Sequence, residues 1–379
     1  MIYMDNAATT WPKPPSVYKA VLACMEKYGA NPGRSGHKMA VQAGNILLYA
    51  REMICELFSI EDPFRVIFTS NCTESLNLAI KGLLKPGSHA VSSCMEHNSV
   101  VRPLMALKEQ GVETTFVRCS DKGCLDPADI EKAIRKNTRL IVTTHASNVT
   151  GTLMPIDEIG RIARSHGIPY LVDAAQTAGI VPINLSTQPI DMLAFPGHKG
   201  LLGPQGTGAL YISPKIELMQ LKEGGTGSQS ESPYQPDLIP DRYESGTMNT
   251  PGIAGLGAGV KHILAAGQKK LQAHEARLTK LFIEALCHIK GIRVYGPLNM
   301  NERVGVVSLN INDRDSSEIA SILDERYGIA TRGSLHCAPM AHTTLGTLKQ
   351  GAVRFSPGIF NTLDEIKYCV KALEELSRE

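Results

Sequence analysis

The 379-residue chain has no run of 18 uninterrupted apolar residues, and its start, Met1-Ile2-Tyr3-Met4-Asp5-Asn6-Ala7-Ala8-Thr9-Thr10, lacks a basic segment followed by an apolar one. Neither a membrane span nor a secretory signal is expected. No Cys-x-x-Cys pair occurs among the nine cysteines, and their odd number and scattered spacing form no disulfide framework. Such usage points to the reducing cytoplasm, where most thiols act as small core residues. An excess of one charge is missing too, because 39 Lys plus Arg against 37 Asp plus Glu leave +2 with no long basic run. A nucleic-acid partner therefore has no electrostatic basis. The expected ligand is a small molecule.

What is present is an ordinary globular composition, 43% hydrophobic and 20% charged, in a chain long enough for two or three domains. Apolar, β-rich runs at Val66–Thr69, His89–Ser92, Glu113–Val117, Leu140–Thr143, Tyr170–Asp173, Met192–Phe195 and Gly208–Ile212 alternate with helical patterns at Glu74–Leu83, Val100–Gln110, Pro127–Ile134 and Ile156–His166. That alternation predicts an α/β domain with a mostly parallel sheet sandwiched by helices. From Gly224 to Pro251 the composition shifts to Gly, Ser, Pro and Thr, a long loop of the kind that more often serves a site than idles. A helical stretch from about Ile253 to Ile289, a strand at Val304–Ile311 and helices at Ser316–Tyr327 and Leu363–Leu376 then predict a smaller α+β domain. The expected division is an N-terminal arm (1–15), a large domain (16–252) and a small C-terminal domain (253–379).

The sharpest local feature is Phe195-Pro196-Gly197-His198-Lys199-Gly200, a lysine in a glycine-rich turn directly after a strand. A single lysine is usually a solvated charge, but Leu171-Val172-Asp173-Ala174-Ala175-Gln176 places an aspartate at the carboxyl end of another buried strand, the edge where α/β sheets bind ligands. An Asp/Lys pair at neighbouring strand ends is what pyridoxal phosphate requires. The lysine forms the Schiff base, and the carboxylate keeps the pyridine nitrogen protonated. Asn71-Cys72-Thr73-Glu74-Ser75 opens a helix, so the amides of Cys72 and its neighbours and the Thr73 hydroxyl can hold a phosphate, although an ordinary helix cap reads the same way. His97, in Glu96-His97-Asn98-Ser99, follows a strand and is placed to stack on a ring and shuttle protons; alone it reads equally as structural.

With these segments, the order and spacing of Tyr3 to Thr10, His145-Ala146-Ser147-Asn148-Val149-Thr150-Gly151, Val172 to Gln176, Gly197-His198-Lys199 and Arg242-Tyr243-Glu244-Ser245-Gly246-Thr247 resemble the class V aminotransferase group of fold-type I pyridoxal-phosphate enzymes. Within it the chain is similar to the cysteine desulfurases and selenocysteine lyases. The resemblance implies that Lys199 is the Schiff-base lysine, Asp173 pairs with the pyridinium nitrogen, Gln176 bonds the phenolic oxygen and His97 stacks on the ring. It implies further that Thr73 and His198 bind phosphate and that Thr247 reaches the neighbouring subunit's phosphate in a homodimer. Asn148 and Arg354, with Arg332, resemble a clamp for the substrate carboxylate, though Arg354 alone reads as a strand arginine. Pro196 departs from the family, which commonly carries Ser or Thr there as a further phosphate donor; proline offers neither hydroxyl nor N–H. No metal site is expected.

Arg332-Gly333-Ser334-Leu335-His336-Cys337-Ala338 sets a cysteine beside a histidine and near an arginine in a loop between two predicted strands. Either cation would favour the thiolate, and the flanking Gly333 and Pro339 argue for a site loop over core packing. The segment resembles the SUF-type, or group II, desulfurase loop, with Leu335 in place of a histidine. The expected activity is cysteine desulfurase, a sulfurtransferase that converts L-cysteine to L-alanine, leaves a persulfide on Cys337 and passes the sulfur to an acceptor protein or thiol. The alternatives are selenocysteine lyase or another class V lyase or aminotransferase, and, from a different class, a non-catalytic sulfur-relay scaffold.

Overall fold

Six of the seven short runs are buried along most of their length and the seventh, Glu113–Val117, is a half-exposed edge; together they build one central sheet between helices. The computed structural model describes residues 1–33 and 36–379. In chain order it contains β1 (Ile2–Tyr3), α1 (Pro15–Lys27), α2 (Lys38–Phe58), β2 (Val66–Thr69), α3 (Cys72–Leu83), β3 (His89–Ser93), α4 (Asn98–Lys108), β4 (Glu113–Val117), α5 (Pro127–Lys132), β5 (Thr138–Thr144), α6 (Ile156–Ser165), β6 (Tyr170–Asp173), β7 (Met192–Pro196) and β8 (Gly208–Ile212). The Gly/Ser/Pro segment carries no helix or strand before α7 (Thr250–Ala266) and α8 (Gln268–Leu286). The chain continues through β9 (Ile292–Val294), β10 (Val307–Ile311), α9 (Ser316–Tyr327), β11 (Ile329–Ala330), α10 (Pro339–Leu345), β12 (Val353–Phe355) and α11 (Leu363–Arg378). None of these helices is long and apolar enough to cross a membrane.

The seven-stranded sheet has the order β2-β8-β7-β6-β5-β3-β4. Only β8 runs against its neighbours, so the sheet is mostly parallel as the alternating pattern predicts. One face packs Phe58, Ile141, Val172 and Phe195 with α2 and α7; the other packs Ile67, Leu140, Leu171 and Leu210 with α3 and α4. The carboxyl ends of the parallel strands gather along one edge, where the ends of β5, β6 and β7 lie side by side.

The helical stretch expected from Ile253 to Ile289 is two helices broken at Gly267, whose φ of 84° lies in the left-handed region that favours glycine. Helix-forming residues on both sides, Leu264-Ala265-Ala266 before it and Gln268-Lys269-Lys270 after it, hide the break from periodicity. Helix α7 packs against the main core through Ile253, Leu256, Val260 and Ile263. Its close approach needs Gly259, where a Cβ would stand 2.4 Å from the Leu201 carbonyl oxygen. The antiparallel sheet β12-β10-β9 forms a second core with α8, α9 and α11. The N-terminal arm joins this unit by pairing β1 with β11 and burying Met4 in its core, then turns so that Ala7 and Ala8 reach the sheet edge.

Candidate active site

A cavity of about 240 Å³ opens at that edge, between the ends of β2, β5, β6 and β7, the arm and the β12 unit. Most of the functional side chains arrive at or just after a strand end, with Cys72 and Thr73 on the first turn of α3 and Arg354 within β12. Asp173 closes β6, and the turn beyond it is fixed by the Ala175 amide, which donates to Asp173 Oδ1 at 2.9 Å. Burial pushes this carboxyl up, while the backbone bond and the Lys199 ammonium oppose the rise. Lys199 follows β7 and is fully buried; burial and then the Arg354 charge lower its ammonium, with Asp173 opposing. No hydrogen-bond acceptor among the described residues holds the Lys199 amine, which leaves it free to bond to something in the cavity.

Opposite, Asn71 caps α3 by accepting from the Glu74 amide at 2.9 Å. The amides of Cys72 and Thr73, at the helix start, have no acceptor among the described residues. Cys72 Sγ donates to Asp173 Oδ1 at 3.5 Å, and its thiol is pushed well up, first by burial and then by that carboxylate. Thr73 Oγ1 and Ser99 Oγ lie 2.8 Å apart, and Ser99 in turn contacts His97 Nδ1 at 2.9 Å. His97 caps α4; burial, then the Lys199 charge, push it down to about 4, so it is neutral at pH 7. His198 is likewise pushed down to about 4, chiefly by burial, and its Nδ1 is buried without a partner among the described residues.

At the other end Gln176 Nε2 donates to the Ala7 carbonyl at 3.2 Å. Arg354, 1% exposed, pairs through Nη2 with Asp5 Oδ1 at 2.8 Å and donates through Nη1 to the Asn148 carbonyl at 3.1 Å; its Nε has no partner among the described residues. Asn148 Nδ2 donates to the His336 carbonyl at 2.7 Å, tying the β5 turn to the cysteine loop. Arg332 and His336 line the cavity, whereas Cys337 is exposed at its rim. The Asn98 amide donates to the Cys337 carbonyl at 2.8 Å, and Arg332 Nη2 donates to Cys337 Sγ at 3.5 Å. Ser334, His336 and Cys337 all have φ in the left-handed region, a strained conformation for residues with a Cβ.

The cavity thus gathers Cys72, Thr73, His97, Asn148, Asp173, Gln176, His198, Lys199, Arg332 and Arg354 from seven separate segments. Thr247 lies elsewhere, accepting from Asn31 Nδ2 at 3.1 Å in a cleft with Ser70, Glu74 and Lys222. One expectation is corrected. His336 was to share the role of cation beside Cys337, but burial pushes it down to about 2 while its Nε2 faces the Ala352 carbonyl at 3.0 Å, so it is neutral and Arg332 is the cation on the sulfur. Three participants escaped the reading of motifs: Asp5, Ser99 and Thr144. Ser99, two residues past a capping histidine, carried a local signal; Asp5 and Thr144 carried none beyond their positions at an arm and a strand end.

The sequence matches the family described as aminotransferase class V over residues 2–369. The chain belongs to that family. It is 37% identical to a probable cysteine desulfurase of Methanothermobacter thermautotrophicus, with 99% of this chain and 94% of the relative aligned. A probable cysteine desulfurase of Pyrococcus abyssi is 36% identical over the same shares. Among solved structures, the apo cysteine desulfurase of Thermococcus onnurineus NA1 superposes with a TM-score of 0.90 at 33% identity, covering 100% of this chain and 94% of the other.

Pyridoxal phosphate is the cofactor of this family, and this class V site fits it. The free, buried Lys199 amine suits its aldehyde, Asp173 its ring nitrogen, and His97 a ring face. The unpaired amides of Cys72 and Thr73, with the partnerless His198 Nδ1, suit its phosphate. Pro196 lines the same cavity and adds no donor.

Proposed function

We propose that this class V enzyme is a cysteine desulfurase, releasing L-alanine from L-cysteine and keeping the sulfur as a persulfide on Cys337. The observation that carries the reading is one loop that offers Arg332 to the cavity and, five residues on, an exposed thiol at its rim. Bound pyridoxal phosphate supplies an electron sink for the pair of electrons left at the substrate Cα. Asp173 holds a proton at the ring nitrogen, which its burial and its bond from Ala175 orient it to do. Lys199 Nζ, its charged form disfavoured by burial, takes the Cα proton. Arg354 and Arg332 hold the substrate carboxylate; the free Nε of Arg354 supports this, while Asp5 and the Asn148 carbonyl keep the guanidinium in place. Cys337 Sγ then attacks the substrate sulfur. The S–S bond forms as the Cβ–S bond breaks, and the electron pair of the broken bond stays with Cβ, which ends as the methyl group of alanine.

The free surface supports a homodimer. Tyr18, Leu22 and Met25 of α1 and Met39, Val41 and Tyr49 of α2 are all exposed apolar side chains. Thr247, outside its own chain's cavity, is the residue we place at the partner's phosphate. All nine cysteines are free, which supports a reducing compartment, the cytoplasm. The test is alanine formation from cysteine and from selenocysteine by wild type and Cys337→Ala. The reading requires that the variant lose the cysteine reaction while retaining covalent cofactor and much of any selenocysteine reaction, because selenium departs with less help. Full cysteine turnover by the variant removes Cys337 from the role; activity on selenocysteine alone in the wild type favours a lyase.

A further inference from the structure

Two cysteines outside the cofactor cavity face each other across neighbouring strands. Cys94 follows β3 and Cys119 follows β4, parallel partners in the register Ser93 to Val117. The Cys94 amide donates to the Val117 carbonyl at 2.9 Å, and the Cys119 amide donates to Cys94 Sγ at 3.2 Å. Thr344 Oγ1, on α10, donates to the same sulfur at 3.1 Å. The Cys119 thiol also donates to Cys94, the main reason that Cys94 is pushed down to about 6, with Thr344 and the backbone adding to it. Cys119 is correspondingly pushed up, so Cys94 is the more acidic sulfur of the pair. Cys94 Sγ lies against the Cys119 backbone just beyond the strand ends, one residue off the register, which brings the two side chains into the proximity that a disulfide requires. Cys94 is buried and Cys119 only partly so, which makes Cys119 the member of the pair nearer solvent.

We propose that Cys94 and Cys119 form a redox-active dithiol site, which a low-molecular-weight disulfide closes to an intramolecular disulfide. The Cys119 sulfur attacks the external disulfide RSSR as its proton passes to Cys94; a mixed disulfide forms and RS⁻ leaves. Cys94 then attacks the Cys119 sulfur, its proton going to the second RS⁻, so that RSSR gains the two electrons the pair loses. The site adjoins the functional loops without being part of them. Cys94 begins the segment that leads to His97 and to Asn98, whose amide holds Cys337, and Thr344 lies on the helix that follows the Cys337 loop. Closing the disulfide removes the thiolate that Thr344 bonds.

The test equilibrates the full-length, cofactor-loaded enzyme in glutathione/glutathione-disulfide buffers, quenches it with iodoacetamide under denaturing conditions and maps unreduced peptides by mass spectrometry. As the disulfide fraction rises, alkylation of Cys94 and Cys119 falls together. A Cys94–Cys119 linked peptide appears, two hydrogens lighter than its parts, and dithiothreitol abolishes it. Cys124→Ser leaves that link intact, because the nearby Cys124 takes no part. The proposal is overturned if both thiols stay fully alkylated across the series, if Cys119 carries glutathione while Cys94 stays alkylated, or if the link joins Cys119 to Cys124.

Discussion

Glu275, on α8, is 6% exposed and lines a cavity of about 30 Å³ between the N-terminal arm, the Lys199 turn and Val304–Val306. Its carboxyl has no hydrogen-bond or ion-pair partner among the described residues, and burial alone pushes it up to about 8 from an ordinary 4.5. The unfolded chain therefore releases this proton first. As pH rises from 4.5 the unfolded state is increasingly favoured, and the loss of stability is complete once pH passes about 8. At 1.36 kcal/mol per pH unit the whole effect is roughly 5 kcal/mol, of which about 4 falls between pH 5 and 8.5. Glutamine fills the same space and does not ionise. The assay is urea unfolding of cofactor-saturated wild type and Glu275→Gln across that range. The stability difference between them should change by about 4 kcal/mol in favour of the variant as pH rises. Glu96, buried and also pushed up to about 8, has the same slope in both proteins and cancels. A difference that stays constant with pH within about 0.5 kcal/mol would refute the claim that Glu275 is buried without a counter-charge.

Three further outcomes follow from named contacts. Lys199→Ala should lose turnover by at least about 10³-fold and carry no borohydride-fixed cofactor; a cofactor label on another lysine contradicts the site. Pro196→Ser gives the cavity a hydroxyl donor and should tighten pyridoxal phosphate binding by up to about tenfold in a fluorescence titration, and unchanged or weaker binding argues against Pro196 facing the phosphate. Arg51→Met strips the buried Glu244 carboxylate of its 2.6 Å partner and should cost about 3–5 kcal/mol in urea unfolding; a loss below about 1 kcal/mol shows that the pair is not desolvated.

Much of the fold was legible because local chemistry and tertiary position agree there. Strands covered on both faces are mostly apolar, and short β-rich runs foretell β2 to β8, although β4 is a half-exposed edge. The helix expected from Pro127 starts there under the Asp126 cap, whereas α3 begins at Cys72 under Asn71, two residues before the expected Glu74. Lys199 and Asp173 were found for a related reason: a ligand edge lies at strand ends, and strand ends show in sequence. The single break at Gly267 was not visible, because both flanking segments are helix-forming and glycine inside a helical pattern is only weakly unfavourable.

By itself, then, the sequence determined the alternation of strands and helices, the family motifs in their order and the residue types needed for the cofactor. Tertiary structure alone decided what those residues meet. Arg354 is fixed by Asp5, 349 positions away, and nothing local to either residue announces the pair. His336 stands beside Cys337 in sequence, yet packing makes it a neutral, buried ring while Arg332 reaches the sulfur. Cys94 and Cys119 are unremarkable thiols until the segments beyond two parallel strands bring them together, and Glu275 is one of many charged residues on α8 until the arm and the Lys199 turn close over it. The physical reason is the same in each case. Pattern and propensity are set by neighbours along the chain, whereas burial, charge state and reactivity are set by neighbours in space.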